Sequence, residues 1–154
     1  PIRGNVETRM GKVAAGLFDA TLLAEAGLTR LDMKDVTRYP ISEEIIVPAP
    51  GQAAIAVQTR DEDGELQTLL QQIHDAKTER EVTIERSLLK RLGGGCALPL
   101  GCVCHIDGEM AELRVFYANA SGTEHYLATH RTPLSDIDTL LSQLIERLQH
   151  ITTA

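Results

Sequence analysis

Seven apolar residues near the end of the chain, Ile137, Leu140, Leu141, Leu144, Ile145, Leu148 and Ile151, recur at helical spacing. They make one stripe along an α-helix, and a stripe that wide must be buried against a partner. Pro133 and the Ser135-x-x-Asp138 pattern mark the helix start. The preceding residues supply the partner. "LGCVCHID", "AELRVFYAN" and "HYLATHRT" read as three strands separated by the turns "DGEM" and "ASGTE". A further helix runs from about residue 77 to 92, with Ile84, Leu88 and Leu92 four apart. The order helix, loop, three-stranded meander, helix defines a small α+β unit with helices on one face of an antiparallel sheet.

The first part of the chain reads differently. "RGNVETRMGKVAAG" is a loop entering a helix, with Asn5 as N-cap. "DATLLAEAG" is a short apolar run that reads as a buried strand, although periodicity does not separate it from a helix. "GLTRLDM" suits a short helical turn. In "IIVPAPGQAAIAVQTR" two prolines and a glycine break an apolar stretch, and a strand-like "AAIAVQTR" follows. This has the character of a crossing between domains. "ELQTLLQQIHD" is amphipathic and helical. The opening residues therefore resemble βα elements of an α/β domain, but too few to close a parallel sheet covered on both faces. "PIRGNVETRM" also begins without an initiator Met. Both features lead us to expect part of a longer protein.

Composition narrows the function. The net charge of −7 and an aromatic content of 3% with no Trp disfavour a nucleic-acid or anionic-membrane binder. The charge is uneven. Residues 1–60 hold seven Lys/Arg and seven Asp/Glu, whereas residues 61–154 hold eight and fifteen. The first part is thus free to host anion sites. No apolar run approaches the ~18 residues of a membrane span, and no signal-peptide pattern opens the chain. Cys96, Cys102 and Cys104 do not make a disulfide framework, so a reduced cytoplasmic setting is expected.

Two groups of residues could carry chemistry. "GGGCALPLG" puts Cys96 on a glycine-rich loop directly after a helix. Glycines give room for close approach of a bulky group, and Lys90 and Arg91 offset the unfavourable helix C-terminus for a thiolate. The competing local reading is a small buried Cys after a helix stop. Zinc binding by Cys96, Cys102, Cys104 and His105 is disfavoured, because the spacing lacks a knuckle and adjacent strand residues face apart. Arg3 and Arg9 bracket "GNVET" at a helix start, and Arg30 follows "AEAGLT". Guanidinium forks beside free helix N–H groups suit a carboxylate or phosphate, while each Arg alone would pass for a surface charge.

Four motifs, "RGNVETR", "DATLLAEAGLTRL", "PAPGQAAIAVQTR" and "ERSLLKRLGGGCALPLG", occur in an order and spacing that resembles the porphobilinogen deaminase family across essentially the whole chain. The resemblance implies a transferase that condenses four porphobilinogen molecules into hydroxymethylbilane. Each substrate loses ammonia to give an electrophilic azafulvene, which the terminal pyrrole of the growing chain attacks. It implies a dipyrromethane cofactor held through a thioether at Cys96, in tetrapyrrole (heme) biosynthesis. It further implies cofactor contacts from Arg3, Arg9, Asn5 and Gln52, and substrate contacts from Arg9, Arg30, Ala24 and Gly27. No metal is implied, and no membrane or nucleic-acid partner. The implied architecture is α/β plus α+β. Residues 1–47 would be the C-terminal part of an incomplete periplasmic-binding-protein-like domain 2. Residues 48–75 would be a crossing strand and helix belonging to domain 1, and 76–154 a cofactor-carrying domain 3. The catalytic Asp would lie in an N-terminal half outside this chain, in an enzyme that is monomeric when whole. Two departures stand out: Ala53 replaces a glycine of the family pattern, and Leu98 replaces a β-branched residue. Two alternatives are a non-catalytic pyrrole-carrying or regulatory fragment, and a small Cys-based metal-binding domain.

Overall fold

The computed structural model describes the chain except for Gly94, Cys96, Thr153, Ala154 and the side chain of Thr152. It divides into two compact units, residues 1–41 and 42–154.

The first unit is helical. α1 spans Val6–Ala14, and α2 spans Glu25–Arg30. Asn5 caps α1 as its sequence position implies, its Oδ1 accepting from the Thr8 N–H at 2.8 Å. The strand expected over residues 19–27 does not form. The run stays irregular until Glu25, where α2 begins, and Leu22 is 66% exposed. A strand needs a neighbour to pair with, and among the described residues this unit has no strand. The helical turn expected at "GLTRLDM" is real and starts two residues earlier, at Glu25.

The second unit contains α3 (Gly64–Leu70) with a 3₁₀ turn behind it, α4 (Ala76–Arg91), the strands β1 (Leu100–Asp107), β2 (Met110–Ala118) and β3 (His125–Pro133), and α5 (Ile137–Thr152). The strands form an antiparallel meander in the order β1-β2-β3. Cys104 lies opposite Leu113, and Leu113 opposite His130. Alternation sends Cys102, Cys104 and Ile106 of β1 and Ala111, Leu113 and Val115 of β2 to one face. α4 and α5 cover that face with Ile84, Leu88, Leu141, Leu144 and Leu148. Each fully buried leucine contributes about 1.5–3 kcal/mol. α5 starts without the Ser135 capping box: Ser135 Oγ donates to Asp136, and Asp138 pairs instead with Arg91 of α4.

The strand expected over residues 53–60 does not form: the run is irregular, and Ile55 and Val57 are 74% and 58% exposed. The stretch just before them is well held. Glu43 contacts His105 at 2.6 Å, Arg114 donates to the Glu44 carbonyl, and the Cys102 N–H donates to the Pro48 carbonyl at 2.8 Å. Gly101 permits this approach, since a Cβ there would lie 2.6 Å from the Val47 carbonyl oxygen. Gly101→Ala should therefore lower stability by about 1–3 kcal/mol. Thermal denaturation would show it as a fall in Tm, and an unchanged Tm would contradict the close packing described.

Candidate functional site

The start of α1 concentrates positive charge. Gly4 has φ +124°, and a Cβ on it would come within 2.6 Å of Thr8 Cγ2, so the turn requires glycine. Arg9 Nε donates to the Gly4 carbonyl at 2.8 Å, and Lys12 Nζ donates to the Arg3 carbonyl at 2.9 Å. Two cations thus hold consecutive carbonyls. Because a trans peptide points its N–H opposite to its C=O, the Gly4 and Asn5 N–H groups face away from those cations. Arg3 is exposed and Arg9 half-buried. Arg3, Asn5 and Arg9 are brought together here. Lys12 was not expected from the sequence; its position one turn beyond Arg9 on the same helix was the available signal. Three cations around a helix start can hold a carboxylate.

α2 carries the other residues of this unit. Ala24 is its N-cap and makes no side-chain cap bond. Gly27 of α2 faces Val6 of α1, and a Cβ there would make an ordinary 3.5 Å contact with Val6 Cγ2. Arg30, in the last turn, is exposed and has no ion pair among the described residues.

In the second unit, Gln52 sits on a tight turn. Its Oε1 accepts from the Ala49 N–H at 3.1 Å, and its own N–H donates to the Ala49 carbonyl at 3.0 Å. Gly51 has φ +74° and Ala53 has φ +70°. The left-handed region costs an L-residue roughly 1–2 kcal/mol. Ala53 thus stands in a conformation that suits glycine.

Cys96 lies outside the described residues. α4 ends at Arg91 with Leu92 as its C-cap, Gly93 follows at φ +71°, and a Cβ on Gly93 or Gly95 would meet nothing within 4 Å. An open groove of about 680 Å³ runs along α4 to Gly93, with Arg86 and Lys90 among its lining residues. Arg86 and Lys90 give this groove a positively charged lining. The other two thiols are unsuited to attachment. Cys102 and Cys104 are 0% and 2% exposed. Burial, with the Glu85 carboxylate nearby, pushes both thiols up, Cys104 to about 12. His105, on the opposite face of β1, is 55% exposed and turned to Glu43.

The family model for the dipyrromethane cofactor binding domain of porphobilinogen deaminase matches residues 1–68, and that for the C-terminal domain of the same enzyme matches residues 79–138. Fold and motifs thus agree with a tetrapyrrole-building class of protein. The chain belongs to the porphobilinogen deaminase family. Among the described residues, no helix is long and apolar enough to cross a membrane.

Two outcomes follow from this geometry. Ala53→Gly should stabilise the chain by up to about 1 kcal/mol, because glycine relieves the left-handed strain and gives back part of the gain as chain entropy. A lower midpoint in denaturant titration would contradict the strain. Alkylation with iodoacetamide at mildly alkaline pH should spare Cys102 and Cys104 until denaturant is added, since both are buried and a thiol at about 12 holds little thiolate there. Peptide mass mapping would report it, and fast native labelling of Cys104 would overturn the assignment.

Proposed function

We propose that this chain is the cofactor-anchoring part of an enzyme that condenses four porphobilinogen molecules into hydroxymethylbilane with release of ammonia. The carrying observation is the contrast among the three thiols. Two are sealed in the core, which leaves Cys96, on the glycine-rich loop, for a thioether to dipyrromethane. When bound, that group supplies the free pyrrole carbon on which the chain grows. Arg3, Arg9 and Arg30 hold the acetate and propionate groups of cofactor and substrate, as bidentate donors do best. Asn5 and Gln52 complete the cofactor side, and Ala24 and Gly27 line the substrate side.

In this reading residues 1–47 belong to a periplasmic-binding-protein-like α/β domain 2, residues 48–75 to domain 1 and residues 76–154 to domain 3. The catalytic Asp comes from an N-terminal half of the same enzyme. Exposed apolar side chains support the need for such a half. Ile55, Val57, Leu69 and Ile73 are each more than half exposed, which is unusual for so many large apolar groups in one stretch. The whole enzyme works as a monomer in the cytoplasm, a setting that suits the free thiols of Cys102 and Cys104.

The test is intact mass spectrometry after incubation with porphobilinogen, with and without the N-terminal half. A dipyrrole adduct should form on the chain only when both halves are present. Cys96→Ser should lose the stable adduct. Arg9→Ala should lower loading by roughly tenfold or more, the loss of one charge-assisted bond, with the fold kept. An adduct on the chain alone would favour a non-catalytic pyrrole carrier, and turnover by the chain alone would remove the need for the second half.

A further inference from the structure

Glu85 is the buried charge that the function above does not use. It sits in the middle of α4 and is 6% exposed. A carboxylate is withdrawn from water only where hydrogen bonds replace the lost hydration. Both of its oxygens are engaged. Oε1 accepts from the Cys104 N–H at 2.9 Å, and Oε2 accepts from the Gly51 N–H at 2.6 Å. The first bond serves the sheet, and Glu81 makes the same kind of bond to the Ile106 N–H at 2.7 Å. The second bond reaches a different place. It holds the turn that carries Gln52 and includes the left-handed Ala53. Gly51 also packs on α4, where a Cβ would lie 3.6 Å from Val82 Cγ1. A strained turn persists when its surroundings over-determine it, and such turns concentrate where ligands are clamped.

The turn presents one free donor. Gln52 spends its amide oxygen on Ala49, and among the described residues its NH₂ has no partner. An amide NH₂ can donate to a carboxylate oxygen. We propose that Glu85 is a positioning residue for the covalent cofactor: it locks the Gln52 turn onto α4, the helix that runs into the Cys96 loop. This rests on the reading of Cys96 as the cofactor anchor. Glu85 touches no cofactor; it acts through Gln52.

The groups around Glu85 are Glu81 on its own helix and Cys102, Cys104 and His105 on β1, while residues 48–52 contribute no titratable side chain. Burial pushes the Glu85 carboxyl above the ordinary glutamate value, opposed by the two amide donors.

The test uses the 154-residue chain, Glu85→Gln, Gln52→Ala and the double variant. Glutamine keeps the size of the side chain but can accept with only one atom. In the parent chain the amide proton resonances of Gly51 and Cys104 should titrate together, with a midpoint above that of an exposed glutamate. In Glu85→Gln this shared titration should vanish. Hydrogen exchange at Gly51 and Gln52 should quicken by roughly tenfold, the effect of one lost buried bond, with β2–β3 amides still protected. Cofactor loading with the N-terminal half present should fall by a similar factor in Glu85→Gln and in Gln52→Ala. The double variant should be no worse than the poorer single one, as for two residues acting in one unit. Independent, multiplying losses would overturn the proposal, and so would unaltered loading in Gln52→Ala, an exposed substitution that leaves the core intact. Absence of an adduct on the parent chain would bring down the anchor reading itself, and the titration and exchange results identify that failure separately.

Discussion

The outer edge of β1 governs the second unit. A strand at a sheet edge exposes N–H groups that must find partners. Here the Cys102, Cys104 and Ile106 N–H groups do so without a fourth strand. Pro48 offers a backbone carbonyl, and Glu85 and Glu81 offer carboxylates. One helix therefore covers the core with Ile84 and Leu88 and closes the sheet edge with its acidic side chains. Two of these acceptors, the Pro48 carbonyl and Glu85, also fasten residues 48–51 to the sheet, and Gly101 makes the approach sterically possible.

That arrangement places strain and charge beside each other. The turn at Gly51–Ala53 adopts left-handed backbone at a non-glycine residue, and a buried carboxylate opposes its release. Unit 1 uses the reverse polarity. There, Arg9 and Lys12 hold the carbonyls of Gly4 and Arg3, so cations order the loop that enters α1.

Legibility followed the range of the forces involved. β1 to β3 and α5 were readable because their periods of two and 3.6 residues mark one buried face each. The strands expected at 19–27 and 53–60 failed for a shared reason. Apolar content makes a segment suitable for a strand, but only a neighbouring strand supplies the hydrogen bonds. The Arg3–Arg9 cluster was readable because the residues are close in sequence and flank a cap. Glu85 was not, because it looks like any other helix charge. Its role depends on Gly51 and Cys104, which lie 34 residues before it and 19 after it.

The sequence by itself determined the α+β order of residues 76–152, the capped start of α1 and the family motif around Cys96. These depend on local backbone preferences and on side-chain spacing within one element. Tertiary structure alone decided which thiols are sealed in the core, which carboxylates close the edge of β1 and which turn is held under strain. Each of these requires groups distant in the chain to meet, and burial and hydrogen-bond satisfaction are properties of that meeting rather than of any one segment.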